Sequence, residues 1–595
     1  MAIRSGNPFA WLGIFLATAL PFDAYSQNSI DNVSYRNEVF RRDSVDALHG
    51  NMFGETWDPD TGSLSFAQMD TSVSGQGPAI VIKRNYTRGQ FKLDRLQNYD
   101  LGDWALSIPR IETILTSALS SPPTAPGQVW QVAHQSGASA YKRCTYFDVA
   151  AFVNDAGGNW FPGYFMIDET GARRQLLKRD PGNNIRPTLS AASNYPAVAR
   201  DNWQFDCLPS TSNGQLGEGF LGLAPDGTKY YFDYLVSGRK RITTYFDLPA
   251  RQGRQWVTMY ASKVVDRFGN TVSYQYNGDR LTSITANDGR KVALTWRDDY
   301  NVISSISTVD PQTNALLQTW TYEYVDAGYE NLAYLSKVNL PDGSNWVYTN
   351  LRYFDLFSTP TQAFCGERVR QSPTTADYFS TVKSPSGATA TFGRAELVHG
   401  YSHTGDPNST ASCASPSPHN NAFEYGQMFS RESGLVSKSI TGPGLTPQTW
   451  TYRYSDAVAS WVHDPCYATS SCVTTRTSTE ISPDGTRTSF TFTTIQGSKL
   501  QGKVLKTQWL DSQLVVKKET TVTYAPFNQG PWPARLGGNP TYEYIPAGVH
   551  VADSYISPVQ ATTTRLDGVA FSTTVNAFDA YARPLSVTKA SAPSP

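Results

Sequence analysis

The stretch DRFGNTVSYQYNGDRLTSITANDGRKVALTW, residues 266–296, decides how the rest of the chain is read. It places Tyr274 and Tyr276 two residues apart, then a short Leu/Thr/Ile run, then Asp288-Gly289, then a second alternating run. Residues i and i+2 of a strand share a face, so both rings point one way and Gln275 the other. Asp-Gly between alternating runs is a strong hairpin signal, because Gly accepts positive φ and Asp bonds its own turn. The stretch predicts strand, loop, strand, Asp-Gly turn, strand.

The same unit recurs. APDGTKYYF surrounds Gly227, PDGSNWVY contains Gly343, PDGTRTSFTF contains Gly485 and LDGVAFSTTV contains Gly568. PSGATATF, around Gly387, is a degenerate copy with Ser386 in the Asp place. Tyr274/Tyr276, Tyr322/Tyr324, Tyr452/Tyr454 and Tyr542/Tyr544 are each Tyr-x-Tyr. The spacing from these pairs to the next turn varies, as expected where loops are inserted into a repeat array. A single hairpin cannot bury its aromatic face, whereas hairpins laid side by side can.

Composition agrees. Tyr numbers 33 and Trp 14 in 595 residues, and net charge is −1, so the basic excess of a nucleic-acid binder is missing. Many Tyr, Thr and Val between regular turns indicate a chain dominated by β structure. The start, MAIRSGNPFAWLGIFLATALPFDAYSQ, has Arg4 before an apolar run and Ala24-Tyr25-Ser26 before Gln27, the form of a secretory signal peptide. The run is shorter than the ~20 residues that cross a bilayer. The six cysteines (Cys144, Cys207, Cys365, Cys413, Cys466, Cys472) all follow it, and an even count in an exported chain favours disulfides. Cys466 and Cys472, close neighbours in one polar loop, are the best-supported pair.

These residues resemble the Rhs/YD-repeat proteins. The YxYxxxxL…DG pattern is met best from Tyr274 to Gly289. AFDAYARPLSV, residues 577–587, is similar to the repeat form (Y/F)D-x-x-G-R-P-L-x-V, with Ala582 in the Gly place. TGSLSF at 61–66, DTSVSGQGP at 70–78, IVIKRNY at 80–86 and GDWALSIPRI at 102–111 resemble the opening segment of such chains. The resemblance implies a long β-ribbon coiling into a shell, which in family members often encloses a C-terminal toxin. The DPxGxxDG-type motif that closes the family core is not found before Pro595. The expectation is a toxin-free member or the front of a longer chain.

Candidate chemistry is sparse. GEGFLG, 217–222, matches GxGxxG, but a hairpin pattern follows where a dinucleotide site needs a helix. His399 and His403, with Cys413 and His419, carry zinc-ligand donors, but their setting reads as loop rather than the helix that would converge an i, i+4 pair. Asp58-Pro-Asp60-Thr-Gly62 has the oxygens of a calcium loop without a distal acidic ligand, and a plain turn is expected. No GxSxG, HExxH or P-loop lysine motif is present. Most Tyr and Trp rings are expected in the core, with Trp450 and Trp461 as candidates for exposed platforms beside inserted loops.

The expectation is therefore an all-β fold of repeated antiparallel hairpins forming a long β-ribbon or partial shell. It comprises a signal peptide at 1–26, an N-terminal β-rich domain at 27–260, and the repeat ribbon with inserted loops at 261–595. The functional expectation is an exported structural and interaction protein at the cell envelope or outside the cell, a scaffold of a toxin-delivery system. It is not expected to be an enzyme, nor to carry a catalytic residue, cofactor or metal. The alternative is a surface carbohydrate-binding or adhesin module. Its partner would be a protein or cell-wall glycan, not nucleic acid, and no transmembrane span is expected in the mature chain. The residues expected to matter, through folding, are Gly227, Gly289, Gly343, Gly485 and Gly568 and the four Tyr-x-Tyr pairs.

Overall fold

The computed structural model describes residues 51–86, 99–117, 130–132, 135–148, 163–180, 194–243, 253–327, 332–351, 369–403, 429–460, 464–495, 498–527, 529–532 and 556–593. The signal-like segment 1–26, Cys365, Cys413, His419, Trp461, Tyr542 and Tyr544 lie outside them. The fold is all-β, almost wholly antiparallel.

Three parts share this architecture. The first is a small sheet in the order β1 (Glu55–Trp57), β2 (Leu64–Val73), β3 (Ile80–Tyr86), β4 (Ala105–Leu106). Alternation in β3 buries Ile80, Ile82, Arg84 and Tyr86 on one face.

The second part is a closed ring. Its strands are β5 (Arg110–Ser117), β6 (Tyr164–Ile167), β7 (Arg173–Lys178), β8 (Ala197–Val198), β9 (Gln204–Leu208), β10 (Gly219–Leu223), β11 (Lys229–Thr243) and β12 (Gly253–Val265). Each pairs with the next, and β12 returns to β5 with Tyr260 opposite Arg110. Trp130, Tyr164, Phe205, Phe220 and Phe232 fill it, and Cys144–Cys207 ties a loop to β9. The GxGxxG segment enters β10 and its hairpin with β11. Residue 260, where the clearest repeats begin, lies within β12.

The third part is the ribbon. The far end of β12, Lys263 to Val265, pairs with Thr271–Asn277, and strand then follows strand to Pro584–Pro593. Gly227, Gly289, Gly343 and Gly485 each sit at positive φ in one kind of turn. At the first, Gly227 N donates to Ala224 O at 3.0 Å while Ala224 N donates to Thr228 O at 2.8 Å. This is a type I turn closed by a left-handed residue. Gly568 differs: Asp567 and Gly568 both have positive φ in a two-residue turn between Leu566 and Val569.

A second device recurs at the other end of the hairpins. At Gln275/Tyr276, Thr295/Trp296 and Glu323/Tyr324 the register slips by one residue, leaving Thr282, Ser304 and Ser336 unpaired on the facing strand. These are β-bulges, which bend and twist a strand. Each extra residue turns its hydroxyl onto the facing carbonyl: Thr282 onto Gln275, Ser304 onto Thr295, Ser336 onto Glu323, at 3.0–3.1 Å. At the bulges whose extra residues are Ser262 of β12, Thr282 and Ser304, the carbonyl just before the extra residue receives an aromatic donor from the next strand. Tyr276 OH donates to Ala261 O at 2.8 Å, Trp296 Nε1 to Leu281 O at 2.8 Å, and Tyr324 OH to Ile303 O. Tyr454 and Tyr524 do the same for Leu435 and Val504. The second Tyr of a Tyr-x-Tyr pair is thus a carbonyl cap as well as a packing ring.

The ribbon curls back onto the ring. Its last turn carries Tyr581, buried against Leu177 and Val198. Tyr581 OH accepts from Asp180 N at 2.9 Å, its carbonyl accepts from Arg200 Nε at 3.1 Å, and Arg583 donates to Asn202. Among the described residues, no helix is long and apolar enough to cross a membrane.

Candidate functional site: the seat of the N-terminal sheet

The curled ribbon presents its aromatic face inward, and the small sheet β1–β4 fills it. One core joins Phe53, Trp57, Phe66 and Trp104 of the small sheet to Ile306, Tyr322, Tyr348, Phe392, Tyr452 and Phe490 of the ribbon. Ring pairs knit the seam: Phe66 meets Phe392 edge-on at 5.4 Å, Trp104 lies 4.9 Å from Tyr348, and Trp57 lies 4.8 Å from Tyr452. Such pairs add to plain area burial.

Three buried ion pairs sit on this seam. The first starts at a bulge in β2, where Asp70 is the extra residue opposite β3. The bulge aims its carboxylate at Arg84, Nε to Oδ1 at 2.8 Å, with side-chain exposures of 0% and 2%. Arg84 also donates to Tyr348 OH, and Tyr322 OH donates to Asp70 Oδ2 at 2.8 Å. The Arg84 guanidinium lies 5.0 Å from the Trp104 ring centre. Burial opposes the charge on Arg84, but Asp70 and Tyr348 outweigh it and hold its pKa above the ordinary arginine value. Burial, then the Asp70 charge, pushes the Tyr322 phenol well up, so it stays a neutral donor.

The second pair joins Asp60 to Arg476, which donates to both its carboxylate and its carbonyl. The Asp58–Gly62 segment is a turn closed by Gly62 N onto Asp58 O at 2.7 Å. Asp60, weighed above as a calcium ligand, faces an arginine. The third pair is Glu55 with Lys438, at 3.4 Å, and Tyr452 OH donates to Glu480 Oε1 at 3.1 Å.

The remaining candidates have specific places. His399 is buried with Nε2 3.4 Å from Thr61 O, and His403 meets Tyr467 edge-on. Among the described residues, no group of three or more His, Cys, Asp or Glu side chains is gathered for a metal. Trp450 is a correction: it is buried, with Lys438 Nζ 4.1 Å from its ring centre, because the inward ribbon face covers it. Cys466, within the short helix Pro465–Ala468 whose first turn Asp464 caps, is disulfide-bonded to Cys472 just beyond it. The partners in the second and third ion pairs stand 416 and 383 residues apart, and no local pattern marks them.

No protein-family model matches the sequence, and the search among curated proteins found no relative. Among solved structures the chain is similar to "Crystal Structure of TcdB2-TccC3-TEV" at 10% identity and a TM-score of 0.27, over 93% of this chain and 37% of that one. It is also similar to "Structure of the N-terminal domain of effector protein SpvB from Salmonella typhimurium strain LT2" at 11% identity and a TM-score of 0.16, over 65% of this chain and 100% of that one. The chain thus spans 37% of the length of the first structure. Both likenesses are weak, and the fold described above rests on this chain's own strand pairing.

Proposed function

We propose that this chain is an exported structural and interaction protein whose β-shell is its working part, a scaffold of the toxin-delivery kind at the cell envelope or outside the cell. The supporting observation is where its chemistry-bearing side chains go. Asp60 meets Arg476 and Glu55 meets Lys438 across the seam between sheet and ribbon, and the Asp70–Arg84 pair of the sheet is held by Tyr322 and Tyr348 of the ribbon. They hold a surface in place rather than open onto a cleft. The signal-like segment 1–26 and the Cys144–Cys207 and Cys466–Cys472 bridges support an oxidising compartment. The toxin-delivery assignment rests on the motif resemblance at 61–111, 266–296 and 577–587.

Fractionation of the producing cell, with thiol alkylation and N-terminal sequencing, tests this reading. The expected result is an envelope or extracellular chain starting near Gln27 with both bridges oxidised. A cytoplasmic chain starting at Met1 with free thiols would sink it. The glycan-binding alternative draws on two exposed rings, Phe268 and Tyr467. Saturable binding on a glycan array, lost in Phe268→Ala or Tyr467→Ala, would favour that alternative.

A further inference from the structure

The described part of the connection from β5 to β6 packs onto the ring through two aromatic side chains. Trp130 stacks on Tyr164 at 5.6 Å, and Phe147 lies 5.0 Å from the same Tyr164 ring and meets Phe220 edge-on. Between them the chain carries Arg143 out of solvent, to an exposure of 0%. Its Nη2 donates to Leu216 O, and its guanidinium lies 5.6 Å from the Trp130 ring centre. Its Nε and Nη1 are buried without a hydrogen-bond partner. Glu218 has both oxygens engaged elsewhere: Oε2 accepts from Cys144 N at 3.1 Å and Thr145 N at 2.8 Å, and Oε1 from Thr145 Oγ1 at 2.6 Å.

A guanidinium held out of water with two unpaired nitrogens is unfavourable where it sits. Burial lowers its pKa to about 10, and Tyr164, Glu218 and Tyr141 only partly offset this, so the group is still charged at neutral pH. The next residue, Cys144, is bonded to Cys207 of β9, so Arg143 cannot withdraw while the bridge is closed. We propose that the Cys144–Cys207 bridge is a redox-operated catch: closed, it holds Arg143 inside against the pull of hydration, and its reduction releases residues 137–147 and uncovers Tyr164 and Phe220 of the ring.

The bridge is open to attack from one side. Cys144 is fully buried and Cys207 is half-buried, so a reductant reaches the Cys207 sulfur first. One thiolate of a dithiol attacks Cys207 Sγ, the S–S bond breaks, and Cys144 leaves as a thiolate that takes up a proton. The second thiol of the reductant then displaces Cys207, so the dithiol ends as a disulfide and both cysteines as thiols. The catch goes beyond the scaffold reading and does not depend on it, because it concerns one loop and the ring beneath it.

Hydrogen–deuterium exchange of the full chain, with and without a dithiol, tests it on peptides covering residues 137–147. Reduction, verified by alkylation of Cys144 and Cys207, should lower protection there by more than about tenfold while Thr271–Asn277 of the ribbon keeps its own. Unchanged protection at 137–147 overturns the catch, and so does an equal loss at Thr271–Asn277, which would be general unfolding. Arg143→Met removes the charge and keeps an unbranched side chain of similar reach. The reduced variant should stay protected at 137–147, and a loss equal to that of the reduced wild type overturns the proposal. Should that variant fail to fold, phenylglyoxal, which modifies accessible arginines, decides it in the wild type. Arg143 should be modified after reduction and spared before it, and sparing in both states overturns the catch.

Discussion

Trp57 Nε1 donates to the Tyr454 hydroxyl at 3.1 Å, and that hydroxyl donates in turn to the Leu435 carbonyl at 2.6 Å. One oxygen thereby joins β1 to the ribbon and caps a carbonyl beside the bulge at Leu435.

Tyr454→Phe removes both bonds and leaves a buried indole N–H and carbonyl without that partner. An unsatisfied buried group costs about 1–3 kcal/mol. The variant should lose about 2–4 kcal/mol in urea unfolding, against roughly half that for Tyr324→Phe, which removes only the bond to Ile303. Equal losses in the two variants would show that the link to Trp57 contributes nothing.

The turn 511–514 has the hydrogen bonds of the Asp-Gly turns, but Leu514 occupies the left-handed position at φ 67°. Its side chain is 53% exposed, so little packing is lost on removal. Left-handed backbone costs a non-glycine residue roughly 1–2 kcal/mol, so Leu514→Gly should raise Tm. Ala582, at φ 59° in the Gly place of the last turn, should gain less, because its buried methyl contributes about 0.8 kcal/mol. Gly289→Val should lower stability by about 1 kcal/mol or more. An unchanged Tm in Gly289→Val would contradict the turn geometry.

Breaking the Asp60–Arg476 pair should be costly. Side-chain exposures are 1% and 8%, and deleting one member of a buried pair typically costs about 3–5 kcal/mol. Asp60→Ala should therefore far exceed Glu519→Gln, whose half-exposed pair with Arg565 is worth less than about 1 kcal/mol. Chemical denaturation of the two variants side by side decides it.

Reduction should act mainly through one bridge. Cys144–Cys207 closes 63 residues and Cys466–Cys472 closes 6. Loop-closure entropy assigns them about 4 and about 2 kcal/mol. Cys207→Ser should thus lower the denaturation midpoint more than Cys472→Ser.

Stability should peak in mild acid. Turn hydrogen bonds hold the carboxyls of Asp342, Asp484 and Asp511 below the usual range, starting with those from Ser344, Thr486 and Lys517. Their contribution is present above the unfolded value of about 3.9 and is lost as pH falls through the folded ones. Glu55 and Glu480, each raised by burial, have the opposite sense, and their contribution is lost as pH rises through their folded values. Thermal unfolding across pH should therefore give a maximum between the two limbs. A curve that climbs steadily to neutral pH would remove these two glutamates from the balance.

Local rules made much of the ribbon legible. A period of two and a left-handed turn residue act over a few positions, so strand, Tyr-x-Tyr and Asp-Gly turn could be read at 266–296 without knowing what they touch. The bulges were not read, although Leu281-Thr282 and Ile303-Ser304 share a signal, a hydroxyl residue after an aliphatic one. That signal gains meaning only when the facing strand is known.

By itself, then, the sequence determined an all-β chain of repeated hairpins with one aromatic face, because those preferences are settled between near neighbours. Tertiary structure decided what covers that face, that β12 closes the ring on β5, and that Tyr581 brings the ribbon's end back to the ring. It also decided that Glu55 meets Lys438 and Asp60 meets Arg476, across 383 and 416 residues. Such partners are chosen by how the bulged strands twist and curl, a sum over the whole ribbon that no local stretch contains.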